Sequence, residues 1–391
     1  MRRLLASLYA FKFFDSFILI FPLYAVMFVD AGLTPVEISI VLTCWSATSF
    51  LVDVPAGVAA DRWPRRQVLA LAQVPRVACF VIWWLYPHFW GFLIGLVLWG
   101  LKSGFTSGTF EALVFDELKA RDRAGDYARL FGRARAVQAV AVVLASLGAA
   151  AVAGDGFGVA LAASLASIVL AIGAAVAIPP AARSAETRER HYLAHLAEGL
   201  GLAVRDRAVL GILGFSALVL ALGGALEEFW PIFGVKVGLT RPLIAIFVGG
   251  QQTLEAAGSL LAHRLAHVHR RWLYGLFAAA GLALAAAAAL FNQPAMALLA
   301  LYSGTMRLTD VAFEARLQHA IPSGNRATIG SVKGFVSQIG VSTLYLTFGP
   351  LAQATGYRTA FLAVGVTASL IGAGLVARQW TRAPKVALAE R

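Results

Sequence analysis

The sequence predicts an all-α membrane protein with twelve membrane-spanning helices arranged as two six-helix bundles. Hydrophobic residues make up 59% of the 391 residues and charged residues only 14%, whereas soluble proteins carry about 25% charged residues. The mean hydropathy is +0.74. Apolar runs of about 20 residues, the length of one bilayer crossing, recur along the whole chain between short turns that contain Gly and Pro.

Each predicted helix is one of these apolar runs, and the breakers and charges around it give its ends. The first run begins after Met1-Arg2-Arg3, as a signal peptide would. Lys12 and Asp15 interrupt it and further runs follow at once, so we expect it to be retained as a helix. The predicted helices are residues 8–29, 36–60, 67–86, 90–117, 130–153, 158–178, 208–233, 242–265, 272–290, 294–318, 327–352 and 358–379.

The positive charges predict how the chain is oriented in the membrane. With a cytoplasmic N-terminus, only Lys236, Arg241 and Arg358 of the 33 Lys and Arg residues fall in outer loops. Because cytoplasmic loops accumulate Lys and Arg, this asymmetry predicts that both termini are cytoplasmic. The net charge of +12 therefore reflects membrane orientation, and no nucleic-acid partner is expected.

The longest polar interval divides the predicted helices six and six. It covers residues 179–207, opens with two prolines and carries several Arg and Glu residues. We therefore predict an N-terminal bundle at 1–178, a cytoplasmic interdomain loop at 179–207 and a C-terminal bundle at 208–391.

The connection after the second predicted helix carries the most specific motif of the chain. It reads Gly57-Val-Ala-Ala-Asp-Arg-Trp-Pro-Arg-Arg66. This stretch resembles the signature loop of the major facilitator superfamily, which has Gly, three residues, Asp-Arg, one residue, Gly and Arg-Arg. Pro64 stands where the family has a glycine, so the turn must be made differently. A basic loop that only fixes orientation is the alternative. The residues that match the family are Gly57, Asp61, Arg62, Arg65 and Arg66.

The resemblance implies two bundles that rock about a central site. It also implies that Asp61 and the loop arginines bind neighbouring helix ends and latch the two halves together, with Asp116 in the same charge network. The ten-residue string that ends at Asp116 resembles one in bacterial members whose substrates are unassigned. Glycines at every fourth position of the fourth helix, Gly100, Gly104 and Gly108, favour the close approach of another helix.

Ionisable residues inside the predicted helices are the candidates for binding protons or solute. A lone charge at the bilayer centre costs about 3 kcal/mol, so such residues are expected to face a polar interior. Acids outnumber bases by eight to four, which predicts a wet central cavity that is more acidic than basic. The acids are Asp15, Asp53, Glu111, Glu227, Glu228, Glu255, Asp310 and Glu314, and the bases are Lys12, Arg76, Lys102 and Arg307.

Helical spacing predicts two charge-paired groups. Asp310 and Glu314 lie four residues apart and Arg307 lies three before Asp310, so the three share one helix face. This stripe is either a self-neutralised structural ladder or a proton-coupled gate. Lys12 and Asp15 lie three residues apart and are expected to neutralise each other.

Glu255 is the candidate proton carrier of the second half. It follows Gln251 and has no cation within one helical turn in the sequence, and a buried carboxyl group without a cationic partner takes up a proton readily. Glu227 and Glu228 are adjacent, so only one of them can point straight inward. We expect one to contact solute and the other a neighbouring helix.

These features together predict a proton-coupled secondary transporter for a small polar, cationic or zwitterionic organic solute, with efflux favoured. Its partners would be the solute, protons and the lipid bilayer, and the chain is expected to be a monomer. No nucleotide-binding loop, zinc ligand set or nucleophile elbow occurs, so we expect no enzyme activity, no cofactor and no bound metal. The alternatives are a transporter of a metal ion or metal chelate, and a non-transporting membrane receptor or assembly partner.

Overall fold

A computed structural model describes residues 1–179, 207–265, 268–320 and 326–381, and the predicted interdomain loop lies almost wholly outside these residues. The described residues form α-helices joined by short turns, and no strand occurs among them. The helices are α1 Arg2–Ser16, α2 Tyr24–Asp30, α3 Pro35–Arg62, α4 Arg65–Leu85, α5 Phe89–Thr106, α6 Thr109–Lys119, α7 Tyr127–Val152, α8 Gly158–Val176, α9 Arg207–Leu220, α10 Trp230–Lys236, α11 Arg241–Leu261, α12 Arg270–Leu290, α13 Met296–Ala320, α14 Arg326–Thr355 and α15 Tyr357–Thr381.

These helices make twelve membrane crossings, as the sequence predicts. Within the described ranges, eight segments are long and apolar enough to be recognised as spans by length and composition alone. The other four are the first, eighth, tenth and eleventh crossings. The first is divided into two short helices of 15 and 7 residues. The other three carry charged and polar residues of the candidate site.

Three crossings are broken rather than continuous, which corrects the predicted single helices 8–29, 90–117 and 208–233. The first consists of α1 and α2, separated by the non-helical residues 17–23. The fourth breaks between α5 and α6 at Gly108, whose φ of +68° is accessible to glycine at little cost. The seventh passes through a π-helix at Ala221–Ala225 and a 3-10 turn at Glu227–Phe229 before α10. Irregular backbone of this kind at membrane depth is tolerated where protein or water surrounds it.

The basic motif is mostly helical, which corrects the expectation of a ten-residue connection. Helix α3 continues through Gly57 to Arg62, and α4 begins at Arg65. Only Trp63 and Pro64 lie between them, both with extended ψ angles of 156° and 120°. The direction of the chain therefore changes without the positive φ that a glycine would supply, because Pro64 is preset for the residue before a helix.

The two halves of the chain meet through two long helix pairs and one short one. Helix α3 packs along α14, α7 along α11, and α2 against α10. The first two pairs approach closely where a side chain is missing. A Cβ added at Gly349 would lie 2.3 Å from the Ser39 hydroxyl, and one at Gly249 would lie 2.8 Å from the Ser146 Cβ. Within the first half, Gly100 and Gly104 pack against α3 as their spacing predicts, whereas Gly108 forms the helix break instead.

The packing of α1 and α9 differs from that of α2 and α10. Helix α1 packs on α7 and α8 of its own half, and α9 packs on α13 and α14 of its own half. By contrast, α2 and α10 lie at the opposite end and touch each other. The interior is therefore closed at the α2–α10 end, and the candidate site lies near that closure.

Candidate functional site

A buried ion cluster lies at the carboxyl end of α1. The Asp15 carboxylate is 2.7 Å from Lys102 Nζ and 3.3 Å from Arg76 Nη1. Gln73 also donates a hydrogen bond of 2.9 Å to it. Because α1 ends at Ser16, its last carbonyl groups lack helical partners, and Arg76 donates to the Asp15 carbonyl at 2.8 Å. We call Asp15, Arg76 and Lys102 the Asp15 cluster.

Lys12 and Asp15 interact at longer range, but the direct partners of Asp15 in the described structure are other residues. The Lys12 ammonium lies over the Phe110 ring, 4.9 Å from its centroid, and Asp15 takes its partners from α4 and α5 instead. Spacing along one helix indicates which residues share a face, but α1 ends one residue after Asp15, so tertiary neighbours decide the pairing here.

An aromatic path connects the Asp15 cluster to the second half of the chain. The Arg76 guanidinium lies 4.8 Å from the Trp99 ring centroid, a cation–π arrangement. Trp99 in turn lies 6.1 Å from the Tyr24 ring. The Tyr24 hydroxyl then donates a hydrogen bond to the Glu228 carboxylate, so this tyrosine of α2 bridges the two halves.

The break in the seventh crossing gives its two adjacent glutamates separate partners. Glu228 accepts from Tyr24, whereas Glu227 lies within hydrogen-bonding reach of Glu255 of α11. Gln251 donates to the other side of Glu255 at 2.8 Å. The sequence suggested that Glu255 is isolated. In the structure it is instead one member of a carboxyl pair. We call Glu227, Glu228 and Glu255 the acidic cluster.

The hydrogen bond between Glu227 and Glu255 has a direct chemical meaning. Ionised carboxylates only accept hydrogen bonds, so two carboxyl groups bond to each other only when one of them holds a proton. Like-charged groups at short range also resist being ionised together. A hydrogen bond between Glu227 and Glu255 therefore requires one proton shared by the pair, and Arg307 is a described cation close enough to interact with both members.

The Arg307, Asp310 and Glu314 stripe is only partly a ladder. Arg307 pairs with Asp310 at 3.2 Å, as predicted from their spacing. Glu314, however, pairs with Lys333 of α14, which also lies 3.9 Å from Asp310. Lys333 carries no signal in the sequence beyond being a charge inside an apolar run. It ties α13 to α14, so the stripe is a connection between two helices.

Two other candidate acids lie apart from both clusters. Glu111 of α6 is 3.6 Å from Arg135 of α7, and both side chains are substantially exposed. Asp53 is exposed on α3 and receives a hydrogen bond from Ser107, at the α5–α6 break. Neither acid joins the Asp15 cluster or the acidic cluster, so their assignment to the site stays a prediction.

The motif arginines bind within the first half. Arg65 pairs with Asp116, and Arg66 donates to the carbonyl of Ile178 at 3.0 Å. Gly57 and Arg62 are exposed in the last turns of α3. The Asp61 side chain lies outside what the structure describes. The proposed latch between the halves therefore stays a prediction. Asp116 does form an ion pair with one of the motif arginines, Arg65.

Two further polar contacts join the two halves. Asp30, the last residue of α2, is 2.6 Å from Arg241, the first residue of α11. Ser46 of α3 and Gln338 of α14 are hydrogen-bonded at 3.0 Å. Among the described side chains, no group of three or more His, Cys, Asp or Glu residues is arranged to hold a metal ion.

Comparison with known proteins identifies the family and its fold. The family model described as Major Facilitator Superfamily matches residues 5–343. The structure is similar to the nucleoside transporter NupG, with a TM-score of 0.75 and 14% identity over 96% of this chain and 98% of that chain. It is also similar to an inward-facing bacterial homologue of the human lysosomal transporter Spinster, with a TM-score of 0.74 and 16% identity over 97% of both chains.

A D-xylose–proton symporter gives a TM-score of 0.68 and 14% identity over 98% of this chain and 97% of that chain. Identities this low establish the fold alone. A comparison with curated protein sequences finds no significant match. The family match covers most of the chain and agrees with the twelve crossings and with the motif from Gly57 to Arg66. The chain therefore belongs to the major facilitator superfamily and is a multi-pass membrane transporter, not an enzyme.

Proposed function

We propose that this chain is a secondary active transporter that couples the movement of a small polar organic solute, cationic or zwitterionic, to protons. The observation that carries the proposal is the carboxyl pair formed by Glu227 and Glu255. One proton fits between them, and the next residue, Glu228, makes the hydrogen bond to Tyr24 that joins the two halves.

This arrangement links proton binding to the closure of the interior. When the shared proton leaves, two carboxylates face each other and repel, because like charges at short range in a poorly screened site interact strongly. The repulsion acts on α11 and on the 3-10 turn at Glu227–Phe229, and the same turn carries the closing residue Glu228. Loss of the proton would therefore weaken the contact with Tyr24 and favour separation of the halves at this end.

We further propose that the two six-helix halves, 1–178 and 208–391, rock about the site in alternating access. The distribution of Lys and Arg supports a cytoplasmic location for both termini in the inner membrane. The end of the interior where α1 begins would then face the cytoplasm. Efflux is the favoured direction, and a nucleoside transporter and a proton symporter among the similar structures are consistent with a small solute and with protons.

The test is solute flux into proteoliposomes that contain the purified chain, with an imposed pH gradient. We expect flux that depends on the gradient, and Glu255→Gln should remove its pH dependence, because a neutral amide cannot exchange a proton with Glu227. Glu228 and Arg307 are the other charged groups that interact with Glu255, so Glu228→Gln is the comparison variant.

The outcomes separate the three candidate functions. A Glu255→Gln variant with an unaltered pH profile would contradict the proton-coupling role. Flux of divalent metal ions or their chelates instead of organic solutes would favour a metal transporter. Absence of flux for every solute offered would favour a membrane receptor or assembly partner.

A further inference from the structure

The Asp15 cluster carries more positive charge than its own carboxylate can balance. Asp15 faces two cations, Arg76 and Lys102. Both are buried, at 4% and 7% exposure. Lys12 is the next charge in reach and is also positive. Among the described residues, no other carboxylate interacts with Lys102 or Arg76.

The charged residues around Lys12 do not supply the missing negative charge. The remaining charged neighbours of Lys12 are Glu111 and Arg135, which pair with each other. The described groups around the cluster therefore consist of two carboxylates and four cations. Burying a charge without a partner is costly, and buried cations in proteins are normally paired with an anion.

The Asp15 cluster also has hydrogen-bond donors that its own residues do not use. The Nε atom of Arg76 is buried and has no hydrogen-bond partner among the described residues. A lysine ammonium has three donors, and Asp15 is the anion that the structure places beside Lys102. The Arg76 guanidinium lies over the Trp99 ring, 4.8 Å from its centroid, and this contact helps to hold the group in place. A planar guanidinium and an ammonium side by side suit the oxygens of a carboxylate or a phosphate.

We infer that the transported solute carries an anionic group, a carboxylate or a phosphate, that binds at Lys102 and Arg76 and completes the charge of the Asp15 cluster. The inference rests on the proposed function and narrows its solute to an anion-bearing one. The acidic cluster of the other half has the opposite sign and is reached through Trp99 and Tyr24. A zwitterion would therefore lie with its anionic end toward Lys102 and its cationic end toward Glu255.

The experiment measures binding to the purified full-length chain, so it does not depend on transport. The probes are matched pairs that differ in one anionic group: free amino acids and their amides for carboxylate, and hexose 6-phosphates and the parent hexoses for phosphate. Binding is detected as a rise in melting temperature with ligand concentration, from which the dissociation constant follows. The amino-acid and hexose arms distinguish the two anionic groups.

Three variants isolate the role of the ammonium group. Lys102→Gln should weaken binding of the anionic probe by about tenfold or more, because a hydrogen bond to a charged group is lost. Lys102→Arg keeps the charge and should retain binding. Lys236→Gln is the matched control. It removes one positive charge outside the Asp15 cluster, from α10, where Lys236 lies over the Tyr357 ring. This variant should leave binding unchanged.

Preferential binding of an anionic member of a pair, lost in Lys102→Gln and retained in the other two variants, would establish the site. The inference is overturned if the neutral member binds as well as the anionic one, if Lys102→Gln binds like the wild type, or if no anionic probe binds. Gradient-driven flux of a purely cationic solute would overturn the inference and leave the proposed function standing.

Discussion

Replacing Tyr24 with phenylalanine removes one hydroxyl group and with it the hydrogen bond that joins the two halves at Glu228. The ring itself is retained, together with its packing against Trp83 and Trp99. The change therefore tests the polar contact and leaves the aromatic packing in place. It also leaves the Glu228 carboxylate without its donor from α2.

The expected effect follows from the kind of bond that is lost. A hydrogen bond to a charged group contributes about 1.5–3 kcal/mol. Because this bond forms across the halves, its loss should disfavour the conformation that is closed at the α2–α10 end. That free energy corresponds to a shift of about 10- to 150-fold in the ratio of closed to open molecules.

The assay is a distance measurement between two spin labels on either side of the closure. Ala31 follows α2 and Thr240 precedes α11, and both are exposed. Cysteines at these positions would be labelled in a background in which Cys44 is replaced by alanine, while the other native thiol, Cys79, is buried. We expect Tyr24→Phe to move the distance distribution toward longer separations.

Tyr9→Phe provides the matched control. It is the same chemical change on α1, and the buried Tyr9 hydroxyl has no hydrogen-bond partner among the described residues. The control should leave the distribution unchanged. If Tyr24→Phe also leaves it unchanged, the closure does not depend on the Tyr24–Glu228 bond, and the proposed link between the shared proton and the closure is wrong.

Two further predictions concern the contacts between the halves. Gly349→Ala should lower the melting temperature, because its Cβ would lie 2.3 Å from the Ser39 hydroxyl and overpacking costs about 1–3 kcal/mol. Gly374→Ala, where nothing lies within 4 Å, is the control, and equal melting temperatures would contradict close packing of α3 on α14. Asp30→Asn should shift the spin-label distances less than Tyr24→Phe. Its ion pair with Arg241 is about one-third exposed on both sides, and such pairs contribute about 0–1 kcal/mol. The shift should vanish at high salt, and a salt-independent shift would argue against an electrostatic contact.

The number of crossings could be predicted from the sequence because each needs a long apolar run, and such runs are visible without any tertiary information. The helix breaks could not. Residues 221–229 fall inside the predicted continuous helix 208–233, and the π-helix there becomes evident only in the structure. Gly108 has the spacing of a packing glycine, and nothing local distinguishes it from Gly104, which does pack against α3.

The candidate site was predictable as a set of residues and not as a set of pairs. Charges inside apolar runs identify Asp15, Lys102 and Glu255, because such charges are costly unless they face a polar interior. Their partners come from other helices, and spacing along one helix cannot reveal them. Tyr24 was missed because a tyrosine near the end of an apolar run is common at a membrane surface, and its role depends on a glutamate 204 residues away.

The two glycine contacts between the halves limit how those halves can move. At Gly349 and Gly249 the helices touch with almost no side chain between them, so neither pair can slide lengthwise without a collision. Each pair can still rotate about its contact, because the glycine there has no side chain to obstruct the rotation. In the proposed alternating-access motion, we therefore expect the axis of rotation to pass through these two contacts.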